Sequence, residues 1–152
     1  MFKAPSDPIK RWFPVILWFS FIFSMSTGTF SADNTASVVK PVLTFFFPWL
    51  RPDQVDVIHF MIRKGAHVFE YFVLGLLFLR AFRGSSPGVW KWRWPLFAIT
   101  GVALWALGDE YHQSFVATRT ASITDVGIDT AGGVLAQCLA AFRHRWRLHR
   151  SP

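Results

Sequence analysis

Runs of apolar residues are the strongest constraint on what this 152-residue chain can become. Four can be drawn: Trp12 to Phe30, Gly65 to Phe82, Pro95 to Gly108 and Ile123 to Phe142. About 20 residues of helix cross the hydrocarbon core of a bilayer, so the first, second and fourth have spanning length. The third spans only if Asp109 to His112 continue its helix inside the membrane. Aromatics make up 18% of the chain and mean hydropathy is +0.31, outside ordinary soluble usage. The expectation is an all-α membrane protein, a single domain over residues 1–152 with four transmembrane helices.

Charge sets the orientation. The formal net charge is +7, but the basic residues flank apolar runs instead of forming a patch, so nucleic acid is not an expected partner. With the N-terminus inside, eleven of the sixteen basic residues fall on the inner side and five outside: Lys40, Arg51, Arg63, Lys64 and Arg119. Of the nine acidic residues only Asp7 is inner. This bias places both termini in the cytoplasm, with residues 143–152 as a basic tail. A cleaved signal peptide is the alternative for the first run, given its basic start and the small residues Ser26 and Gly28; its length and aromatic content weigh against that. Cys138, the one cysteine, sits in an apolar run and reads as a small buried thiol.

Between the first two runs, Ser31-Ala32-Asp33-Asn34 reads as a turn. Val42 to Leu50, bracketed by Pro41 and Pro48, is too short to span and reads as an interfacial or re-entrant segment. Pro52-Asp53 offers the start of the next helix. His59, on that lead-in, reads as an interfacial histidine above the polar residues described next.

Those polar residues stand where an apolar helix penalises them. On a helix, Lys64, His67, Glu70 and Tyr71 fall at about 0°, 300°, 240° and 340°, one arc of the second run. Counted from Phe82, Pro95 and Phe142, Glu70, Asp109 and Asp129 lie roughly 18, 21 and 20 Å from the inner boundary. Three independent stretches thus carry acids to one level, with His67 and Glu110 slightly higher and Lys64, His112 and Asp125 near the outer edge. Asp125 and Asp129 share a face. Gly132, Ala136 and Ala140 continue at the i+4 spacing that allows close helix approach, and Gly127 with Ala131 makes a weaker pair.

Lys64-x-x-His67-x-x-Glu70-Tyr71, Asp109-Glu110-Tyr111-His112-Gln113, Arg119, Asp125 and Asp129-Thr130-Ala131-Gly132 together resemble the VanZ-like family. The resemblance covers roughly residues 60–140. The family often has Pro-Gly before the arginine, where this chain has Ala117-Thr118. The resemblance implies an integral membrane protein of the bacterial cell envelope, related to an accessory protein of teicoplanin resistance, and implies no particular reaction.

With Lys64 and Arg119 against Glu70, Asp109, Glu110, Asp125 and Asp129, the cluster would carry −3, which a poorly hydrated site holds only with protons, cations or a ligand. Three readings stay open. In the first the network is structural, locking helix register, and the chain is a structural or partner-binding subunit. In the second the pocket opens outward: Arg119 and Lys64, with Tyr71, Gln113, Glu110, Asp125 and Asp129 around them, hold a lipid-linked or other anionic envelope ligand. His67 with Glu70 and His112 with Asp109 would then be acid–base pairs. No serine or cysteine has a nucleophile motif, which argues against covalent catalysis. The third reading is a divalent-cation or proton-relay site, although His67-x-x-Glu70 is not a recognised metal motif and no charged groups continue inward. No cofactor is expected apart from the divalent cation of the third reading.

Overall fold

The computed structural model describes residues 7–84 and 90–149, and these form helices and no strands. Helix α1 spans Pro8–Met25. A 3-10 turn, Gly28–Phe30, leads into α2, Ala32–Phe46. The long α3 covers Pro52–Arg83, α4 Arg93–Gln113 and α5 Ile123–Leu148.

Local chemistry accounts for the boundaries. Asp7 caps α1 by accepting from the Ile9 amide at 2.9 Å, and Pro8 supplies a first position that needs no donor. Four-residue runs of short polar side chains start helices as readily as turns. Ser31, expected in a turn, instead caps α2 by accepting from the Asn34 amide. Pro41, expected as a bracket, sits inside that helix. Pro52 opens α3, where the Gln54 side chain accepts from the Arg51 amide at 3.0 Å. The lead-in therefore fuses with the second apolar run into 32 continuous residues, ending at Gly84 with φ of +53°. Ser122 caps α5. That helix runs on through the basic segment, so residues 143–148 are its last turns and not a separate tail; positions 150–152 lie outside the described residues.

Four spanning helices are only partly realised. Among the described residues, α3 alone is long and apolar enough to cross a membrane, with mean hydropathy 1.4 over its best window. Helix α1 stops five residues short of Phe30, and its 18 residues pass only together with Gly28–Phe46, from which it is bent by 64°. Helix α4 does include Asp109 to His112, as spanning requires. Those residues, and Asp125, Asp129 and the arginines of α5, are what dilute the apolarity of the last two helices.

Helix α3 is the hub, packing against α1, α2, α4 and α5. Val15 and Ile22 of α1, Tyr71, Leu74 and Phe78 of α3, and Ala98, Val102 and Ala106 of α4 form the core. Thus α1 is integral to the fold. Helix α2 presents Val38, Val42, Phe45 and Phe46 outward on one side, while Lys40 pairs with Asp56 of α3 at 2.6 Å. Cys138, expected buried, is exposed: its position on α5 faces away from α3.

Glycines bring α5 against its neighbours. A Cβ on Gly132 would strike the Val68 carbonyl of α3, and one on Gly133 would lie 2.8 Å from Val102 of α4. Ala136 is wholly buried beside Gly75. Gly127, by contrast, faces open space and Ala131 is exposed, so that pair packs nothing. Gly132→Ala should therefore cost about 1–3 kcal/mol, because helix backbone cannot yield as a side chain can. Gly127→Ala should be neutral or stabilise by up to about 1 kcal/mol through helix propensity. Thermal unfolding of both variants in detergent checks the contrast.

Candidate functional site

The middle of α3 faces the start of α5 through two stacked pairs. Lys64 forms an ion pair with Asp125, and its ammonium lies 5.5 Å from the Phe60 ring centroid. One turn further in, His67 Nδ1 stands 3.5 Å from Asp129 Oδ1. The spacing explains the match, since Lys64 and His67 are three residues apart on one helix and Asp125 and Asp129 four apart on the other. Asp129 has no exposed surface, and neither of its oxygens accepts a hydrogen bond within the usual distance. Tyr71, equally enclosed, has no partner for its hydroxyl.

The acids do meet. Asp109 and Asp129 both act electrostatically on Glu70, and Asp109 acts on Asp129. Their individual partners differ from the pairings read in the sequence. His67 faces Asp129 instead of Glu70. Asp109 accepts from Gln113 Nε2 at 2.9 Å, and His112 turns away to pack on Phe23, ring centroids 4.5 Å apart, leaving its buried Nδ1 unpartnered. The reason is helical: Gln113 sits one turn beyond Asp109, whereas His112 points to α1. Glu110 accepts from the Ser122 amide at 2.7 Å and so closes the α4–α5 loop.

Arg119 does not pair with Asp125 or Asp109. Its guanidinium donates to the Met25 carbonyl at 2.5 Å and to the Thr27 carbonyl at 3.0 Å, satisfying groups that the end of α1 leaves open. Burial, followed by the nearby charge of Arg63, holds its pKa below the ordinary arginine value, with Asp109, Glu110 and Glu70 opposing. His59 is buried and shares a 3.1 Å hydrogen bond with Thr35 of α2, so it fastens α2 to α3.

Two openings reach these residues. A cavity of about 410 Å³ is lined by Arg63, Lys64, His67, Gln113, Arg119, Ser122 and Asp125, among others. A smaller one, about 130 Å³, is lined by Arg63, His67, Glu70, Arg119 and Thr35. Arg63 therefore belongs to the site although its sequence position suggested only topology. The available signal was its i, i+4 relation to His67. Trp18 was missed as well: its indole N–H donates to the Glu70 backbone carbonyl at 2.8 Å. Further in, the core is apolar apart from Gln137, which donates to the Gly75 carbonyl. Among the described residues no group of three or more His, Cys, Asp or Glu is arranged to hold a metal ion.

Fold and site together define an all-helical protein whose central helix carries a buried acid–histidine cluster beneath a basic-rimmed cavity. The chain belongs to the VanZ/LLP1 family, whose family model matches residues 11–144. No curated protein and no solved structure matches it.

The Lys64–Asp125 pair is about three-quarters buried, with side-chain exposures of 25% and 21%. Lys64→Met should destabilise by about 1–3 kcal/mol, between the values for exposed and fully buried pairs, because Asp125 is left without its partner. Adding Asp125→Leu should recover most of the loss. A double-mutant cycle by thermal unfolding measures the coupling.

Proposed function

We propose that this protein is a multi-pass component of the bacterial inner membrane that binds an anionic envelope ligand in its outer-facing cavity. Helices α1, α3, α4 and α5 cross the membrane, both termini are cytoplasmic, and α2 lies at the outer interface. Several features support the membrane placement: the apolar length of α3, the outward-facing Phe13, Leu17, Phe69, Leu104 and Leu135, the one-sided distribution of basic residues, and the family itself. The exposed apolar stripe on α2 suits an interfacial helix.

One observation carries the ligand class. Around the larger cavity three cations, Arg63, Lys64 and Arg119, face a single carboxylate, Asp125. Lys64 is matched to that carboxylate and Arg119 is engaged by α1, whereas Arg63 has no ion-pair partner among the described residues. A phosphate or carboxylate on a lipid-linked cell-wall precursor or lipid headgroup supplies that partner, and a guanidinium binds it through paired N–H groups. His67 lines the cavity with Asp129 behind it, so an imidazole backed by a carboxylate stands next to the bound anion, the arrangement needed for acid–base assistance if the ligand is also modified. Ser122 lines the cavity, but its hydroxyl is engaged in capping α5. Binding such a ligand is how the protein would contribute to teicoplanin tolerance. A structural role is the second reading, favoured by the two cross-helix pairs and by the Arg119 bonds to α1.

Arg63 separates the two readings, because removing it breaks none of those contacts. Binding of a short-chain lipid diphosphate to the purified protein should weaken about tenfold in Arg63→Gln, the loss of one charge-assisted hydrogen bond, with the unfolding temperature unchanged. Equal binding by wild type and variant would overturn the ligand assignment, and loss of folding would favour the structural network. Phosphate release by wild type but not by His67→Gln would make the protein an enzyme. Reporter fusions near Asn34 and after Pro152 test the topology, with external and cytoplasmic signals expected respectively.

A further inference from the structure

A third cavity, of about 620 Å³, lies at the opposite end of the molecule, between α4 and α5. Its volume is in the range of small-molecule sites. One wall is Leu96 and Ile99 of α4, and the other is Val134, Cys138 and Phe142 of α5, all apolar or weakly polar. Positions 134, 138, 141 and 145 follow one another at helical spacing. The trough therefore runs about 17 Å along α5 and ends at Arg145, with Trp92 beside it. Leu96 and Phe142 are each 61% exposed, so the trough is open sideways, toward the surroundings of the bundle.

Charge identifies what fills it. Arg145 forms no ion pair among the described residues. The only acidic side chain at this end among the described residues, Asp7, is occupied in capping α1. Lys91, Arg93 and Arg143 form no ion pair among the described residues. An apolar trough closed at one end by an unmatched guanidinium and a tryptophan fits a molecule with an acyl chain and an anionic head. Basic sites between helices on the cytoplasmic side recognise lipids of this kind.

We propose that the α4–α5 trough is a binding site for an anionic phospholipid of the inner leaflet, with one acyl chain along Ile99 and Cys138 and its phosphate at Arg145. The site depends on the membrane placement proposed above but not on the outer cavity, so either can fail without the other.

The only cysteine of the chain lines the trough and is exposed, which makes it a reporter. Full-length protein in neutral detergent is treated with N-ethylmaleimide, alone and with dioleoylphosphatidylglycerol or dioleoylphosphatidylcholine. Phosphatidylglycerol should slow labelling of Cys138 and phosphatidylcholine should not. Arg145→Gln should raise the concentration needed about fivefold, the effect of one basic residue. Arg63→Gln should leave protection intact, which distinguishes this site from the outer one. Equal protection by both lipids, or protection that survives Arg145→Gln unchanged, would reduce the trough to nonspecific coating and overturn the proposal. Labelling that slows with protein concentration in the absence of lipid would also overturn it, assigning the face to a second copy of the chain.

Discussion

A carboxylate with no access to solvent is the constraint from which most of this structure follows. Asp129 lies wholly inside the bundle, and only His67 approaches it as a potential cation. An unpaired buried charge costs several kcal/mol, so the acid is tolerable only while α5 stays pressed against α3. Gly132, three residues along, has no side chain and lets the helices close to that distance. One turn outward, Asp125 and Lys64 repeat the arrangement with more water present. The glycine and the two pairs are thus a single device, in which backbone proximity makes the electrostatics affordable and the electrostatics fix the register.

The level at which the acids gather is legible from sequence because it depends on quantities that vary little. Helix rise counted from the ends of three separate runs puts Glu70, Asp109 and Asp129 at similar levels, and their electrostatic influence on one another agrees with that. Partner choice depends on the rotation and separation of helices, which sequence patterns report poorly. His67 and Glu70 share a helix face, yet the imidazole turns across to Asp129. His112 follows its own side of α4 toward Phe23 and away from Asp109. Secondary structure shows a similar division. The caps at Asp7 and Pro52 follow from local rules. Ser31-Ala32-Asp33-Asn34 satisfies the rules for a turn and for a helix start equally well, and the length of helix that follows decides between them. Cys138 reads as buried because its run is apolar. An apolar run does not reveal which of its faces turns inward, and position 138 falls on an exposed one.

The two ends of the bundle have opposite electrostatic characters. At the end formed by the α4–α5 loop cations and carboxylates are interleaved, and the buried acids lie beneath a basic rim. At the other end basic residues stand almost alone. The contrast comes from the uneven distribution of basic residues along the sequence. It also means that the polar openings at one end and the apolar trough at the other present different chemistry to whatever approaches them.

Arg119 has a consequence for how the molecule is made. Its guanidinium completes the last turn of the first helix from a loop 92 to 94 residues further along the chain. During synthesis at about 5–20 residues per second, α1 therefore waits on the order of 5–20 s for the group that satisfies its final carbonyls. Helix α1 is thus made well before the loop that completes its end, and that end is finished only once Arg119 has arrived.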